Sequence, residues 1–271
     1  MLTCRASCPG GIKMSRGVAQ PDKPFKAIAG PWSNKAERPD PVLHAQQFAA
    51  HVQNIEHQYK NAAPETVRAG KEWYSQAHDF AGEAGKHLGV SQEHASGMVA
   101  ALSPGQPWGL NKAMTKQMGS VTTSHVRALQ AGDRSGLAGT PLNKQSTDNI
   151  VKAHRIREGE KPEAVLPMDK KSGNFHKNIW TPDDPVPVTV DTHAHDVATQ
   201  QHLPYNTDRG LQAAGRYAHF AGAYRAASQN LGVEKAHQVQ ATIWTDWRSK
   251  KKGSFIHPRE QAMESAKWSD L

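Results

Sequence analysis

PVPVTVDTHAHDV, residues 185–197, decides how the rest of this chain is read. Val186, Val188 and Val190 alternate at period two, the pattern of an extended segment with one buried face. The alternation stops at Asp191, and residues 192–201 contain no Gly or Pro and read as a helix. Aspartate is a strong N-cap because its carboxylate accepts hydrogen bonds from the open N–H groups of the first turn. The partial positive charge at a helix N-terminus also keeps it ionised. A carboxylate fixed at the mouth of a helix, after a buried lead-in, suits a catalytic base. A purely structural cap is the commoner role for such a residue, so the rest of the chain has to decide between the two.

Outward from this stretch the chain is helical. Asp40-Pro41 gives an N-cap followed by proline at the first helical position. Phe48, Val52, Ile55 and Tyr59 then form one apolar stripe at helical spacing. A second helix is expected over residues 65–88, ended by Gly89, and Ser91 caps a third that runs to Leu102. Ser103-Pro104-Gly105 breaks that helix. The next is expected to bury Leu110, Ala113, Met114 and Met118. Further helices are expected at 143–157, 209–231 and 234–248, with a short one after Pro258. The spacing implies an all-α protein with one extended connector.

Composition narrows the function. The 271 residues carry 33 Lys and Arg against 25 Asp and Glu, a formal charge of +8. The pI is about 9.4 and the mean hydropathy is −0.70. A basic excess favours polyanions, nucleic acid first among them. No run reaches the ~18 apolar residues of a membrane span, and the start lacks the apolar core of a signal peptide, so a cytoplasmic protein is expected. Residues 1–40 are rich in Gly, Pro, Lys and Arg and are expected to form a disordered basic tail. Cys4 and Cys8, the two cysteines of the chain, make neither a zinc site nor a disulfide framework.

Four segments, in order, carry a family likeness: VAALSPGQPWGLNKAM (99–114), NKQSTDNIVKAHRI (143–156), LPMDKKSGNF (166–175) and VTVDTHAHDV (188–197). Together they resemble the helix-hairpin-helix DNA glycosylases of the endonuclease III-like branch. The resemblance implies a two-lobed helical fold, with residues 41–103 and 191–271 forming one lobe and 104–190 the other. It implies a monomer that excises a damaged or modified base from double-stranded DNA, with no cofactor. By position Asp191 matches the family's essential aspartate. Lys171, 20 residues before it, matches the lysine of members that also cleave the strand. Gln106 matches a loop glutamine that fills the gap left by the extruded base, and Lys170, Lys177 and Asn178 fall in or beside the DNA-gripping hairpin.

The chemistry fits those residue types. Cleaving an N-glycosidic bond passes through an oxocarbenium-like sugar, which a carboxylate stabilises. A lysine amine in place of water forms a Schiff base that leads on to strand cleavage. The target base must first leave the duplex. The chain also departs from the family. Met168-Asp169-Lys170 stand where the hairpin glycines belong, Gln106 is one residue late, and there are no iron–sulfur cysteines.

Two other readings stay open at this stage. One is a DNA-binding scaffold without catalysis. The other is a metal-dependent hydrolase built on Asp191 and His195, which can share a helix face but supply only two ligands. Lys250 and Lys251, following Trp244 and Trp247, read either as a phosphate-binding patch or as the solvated end of a helix.

Overall fold

The computed structural model describes residues 41–204, 206–250 and 265–271. The tail 1–40, Lys251 and the first part of the helix expected after Pro258 lie outside the described residues; Trp268, placed in that helix, falls in a short turn over Trp268–Asp270. Among those described the fold is all-α, with no strand. The helices are α1 (Pro41–Lys60), α2 (Pro64–Leu88), α3 (Gln92–Leu102), α4 (Trp108–Gln117), α5 (Thr123–Gln130), α6 (Thr147–Arg157), α7 (Pro162–Val165), α8 (Lys171–Trp180), α9 (Thr192–Thr199), α10 (Ala214–Leu231) and α11 (Ala236–Lys250).

Several boundaries follow from the local chemistry read above. Gly89 closes α2 in the left-handed region at φ 69°, where a side chain is strained. Ser91 caps α3 by accepting from His94 N. Other boundaries shift. A one-turn helix at Pro141–Lys144 precedes α6, which starts only at Thr147 under a Ser146 cap. The helix expected from Arg209 begins at Ala214, because the Arg209 side chain is drawn back into the protein.

Two apolar cores form. The first gathers α2 to α8 around Met98, Leu102, Met114, Ile150, Ile156 and Ile179. The second gathers α1, the 188–190 connector and α9 to α11 around Ile55, Val190, Phe220, Tyr224 and Ile243. Full burial of each such side chain contributes ~1.5–3 kcal/mol. The division between cores therefore differs from the sequence-based one: α2 and α3 belong with the middle of the chain. The reason lies in their apolar faces, since Tyr74, Phe80 and residues 95–102 pack on the same cluster as α6 and α8.

A close approach of α11 to α2 joins the two cores. A Cβ on Gly70 would lie 2.4 Å from Thr242 Cα and 2.1 Å from its Oγ1. Only glycine permits that crossing.

Candidate active site

Position 191 is fixed from three directions. Val188 and Val190 are fully buried in the second core. The Tyr217 hydroxyl donates to Val188 O at 2.9 Å and accepts from Val190 N at 3.0 Å. Those backbone groups have no sheet neighbour, so the tyrosine substitutes for a ladder. Thr189, on the opposite face by the period-two rule, accepts from Asn178 Nδ2 at 2.9 Å. Asp191 then caps α9, its Oδ1 accepting from Ala194 N at 2.8 Å. Among the described residues no other hydrogen bond reaches this half-buried carboxylate.

Lys171 opens α8 and is also half-buried. Burial holds its ammonium below the ordinary lysine pKa, and the Asp191 carboxylate opposes that shift by favouring the charged form. The Asp191 charge thus acts on the Lys171 amine. The turn before Lys171 lacks the family's glycines, but Gly173 supplies a close approach of its own. A Cβ there would sit 2.2 Å from Met168 Cα and 2.6 Å from Pro167 O. The first turn of α8 therefore lies directly on the backbone of the preceding turn.

A cavity of about 530 Å³ separates the two cores, and Asp191, Lys171, Lys170 and Gln106 all line it. Aromatic rings supply much of the wall. Trp73 is central: its ring lies 5.1 Å from Trp108, 5.9 Å from Phe175 and 6.0 Å from Trp244. The loop after α9 forms another side through Thr207, Asp208 and Arg209.

That loop is held by a buried ion pair. Arg209 donates to both Asp196 oxygens, at 3.0 and 2.8 Å, and to the carbonyls of Leu203, Pro204 and Thr207. Burial alone would raise the Asp196 carboxyl, but hydrogen bonds from His195 and Arg209 bring it below its ordinary value. His195 in turn sits between Asp196 and Arg216, each at 3.2 Å. Burial lowers its pKa, so the neutral ring donates from Nδ1 and accepts at Nε2.

Several sequence-based assignments change. Asn178 is fully buried and bonded to Thr189, so it holds the connector and cannot touch DNA. His195 has both nitrogens committed inside the protein, so the Asp191/His195 metal pair does not assemble; His193 lines the cavity instead. Among the described residues no group of three or more His, Cys, Asp or Glu is placed to hold a metal. Lys170 Nζ lies 3.3 Å from Asp169. Lys177 is half-buried on α8 and does not line the cavity, and Lys250 is the last residue of α11.

Sequence reasoning missed Asn111 and Gln240. Both are nearly fully buried on the cavity wall. Their signal was available only as polar residues at core-facing helical positions. On α4 the buried face carries Asn111, Lys112, Met114 and Thr115, whereas Leu110 and Ala113 are half-buried.

Fold and site define an all-α protein with a carboxylate and an amine in a cavity between two cores. The chain belongs to a family of unknown function, DUF7178, whose profile matches residues 41–251. No curated protein and no solved structure matches it.

Proposed function

We propose that this protein excises a modified or damaged base from DNA by cleaving its N-glycosidic bond. One observation carries the reading: Asp191 and Lys171, assigned from separate motifs, line the same cavity, and Gln106 lines it with them. A volume of about 530 Å³ falls in the range of small-molecule sites and admits a nucleobase. Flat aromatic walls suit the faces of a heteroaromatic ring. The +8 charge favours a polyanion.

In this reading Asp191 stabilises the positive charge that develops on the sugar as the C1′–N bond lengthens. The base leaves with the bonding electrons and takes up a proton. Either water or the Lys171 amine then bonds to C1′. With lysine, ring opening gives a Schiff base, the species from which strand cleavage proceeds. The lowered Lys171 pKa raises the fraction of neutral, nucleophilic amine.

The test is a panel of duplexes carrying uracil, oxidised, alkylated or hydroxymethylated bases, incubated with the full chain with and without borohydride. Base release from at least one duplex supports the proposal. A covalent adduct that disappears in Lys171→Ala supports the lyase step. Tight, salt-dependent binding to every duplex, with no abasic product from any, would instead identify a non-catalytic DNA-binding protein.

A further inference from the structure

The loop between α9 and α10 is folded around one side chain. Arg209 is 5% exposed, and five acceptors stand around its five N–H groups. Nε and Nη2 meet the two Asp196 oxygens at 3.0 and 2.8 Å. Nη2 also donates to Leu203 O at 3.2 Å, and Nη1 donates to Pro204 O at 2.9 Å and Thr207 O at 2.6 Å. The described residues of 201–208 form no helix or strand, so the guanidinium takes the place of a backbone ladder for those carbonyls.

This loop is tied to the site at both ends. Its anchor, Asp196, lies on α9, the helix that Asp191 caps. Its own Thr207, Asp208 and Arg209 line the cavity with Asp191 and Lys171. The chain also enters the loop under strain. Gln200, at φ 52°, is the single non-glycine residue with left-handed backbone among the described residues. Such strain persists only where tertiary contacts over-determine it, and it gathers at functional sites. Asp191 itself is held by other bonds, from Ala194 N and through the Tyr217 hydroxyl under the connector, in which Arg209 takes no part.

We propose that Arg209 is a positioning residue: it shapes the loop into the wall that holds the extruded base beside Asp191, without entering the chemistry. The inference rests on the base-excision reading of the cavity. A wall that grips the base equally before and during bond cleavage lowers the concentration needed for half-saturation and leaves the saturating rate alone. Lysine cannot replace arginine here. Its ammonium is a single point with three N–H donors, so it keeps the charge next to Asp196 but cannot span acceptors on four residues.

The test compares the full native chain with Arg209→Lys on the duplex, from the panel above, that the native protein processes fastest. In single-turnover reactions the half-saturating protein concentration is expected to rise about tenfold, while the saturating rate stays within about threefold. Mild digestion with a broad-specificity protease is expected to cut within residues 201–208 faster in the variant than in the native chain. Arg209→Leu/Asp196→Leu is the second variant; it removes both buried charges together, so neither is left alone in the interior should lysine disturb folding. Half-saturation unchanged in both variants would overturn the role of Arg209. So would a saturating rate that falls at least as much as half-saturation rises, or a loop cut no faster than in the native chain. No base release by the native protein from any duplex would overturn the excision reading and the substrate role with it, and digestion would then report on the loop's fold alone.

Discussion

Asp191 holds two roles that one substitution can separate. Its Oδ1 caps α9, and its charge faces the cavity. Asparagine is as good an N-cap as aspartate, so Asp191→Asn should unfold within ~1 kcal/mol of the native protein by denaturant titration. Lys171 gives a prediction with a sign. Its folded pKa is depressed by burial, and the Asp191 charge holds it up. Borohydride trapping on a preformed abasic site should therefore rise with pH through a midpoint below the ordinary lysine value. Asp191→Asn removes the charge that favours the ammonium, so the midpoint should move to lower pH. A midpoint that moves upward would remove the electrostatic link. At this scale Asp191 and Lys171 could be singled out from the sequence, because each sits in a local motif, and both line the cavity. Asn111 could not, because its Nδ2 donates to a carbonyl on another helix, that of Val99.

The connector is the element on which the site depends, and Tyr217 is its support. Tyr217→Phe deletes both bonds to the connector and leaves the buried Val190 N–H without a partner. The expected cost is about 1–3 kcal/mol, read from the shift in the urea midpoint, with slower base release because Asp191 loses its support. Gly173→Ala should cost about as much, since the added methyl runs into Met168 Cα and the turn must move. Period two correctly marked Val188 and Val190 as inward, but Val186, read with them, is 59% exposed because the buried part of the connector begins only at Val188. It could not show that a tyrosine hydroxyl replaces a neighbouring strand. Periodicity likewise found α4 and put Met114 and Met118 inside, but Leu110 and Ala113 are only half-buried, because apolar residues were assumed to point inward. Here Lys112 is buried instead, with its amine donating to Ala266 O and lying over the Trp108 ring. The late start of α10 has the same kind of cause: Arg209 is tied to Asp196, a partner 13 residues away that no local pattern reveals.

At the scale of the molecule, buried histidines set the acid limit of the fold. Burial pushes His176 and His237 down to about 4 and His219 to about 3, and lowers His51 as well. His219 also lies within hydrogen-bond distance of both His51 and His44, at 2.9 and 3.3 Å. A histidine held neutral in the folded state lets the unfolded chain take up protons first as pH falls through about 6.5. Stability is therefore full above that pH and is lost progressively toward pH 4. His176, His237 and His219 each withhold on the order of 2–3 kcal/mol by pH 4. The urea midpoint should fall steadily from pH 7 to pH 5, and His219→Phe should flatten that slope. The helical class could be read from patterns along the chain. The partition into two cores could not, since it depends on which helix faces meet in space, as at the Gly70–Thr242 crossing. The whole account converges on a carboxylate beside a cavity that admits a base. Its most direct test is single-turnover base release by the native protein and by Asp191→Asn on the duplex the native protein processes fastest. Release should slow by at least a hundredfold while duplex binding stays within about threefold. Release by Asp191→Asn at the native rate would contradict the account.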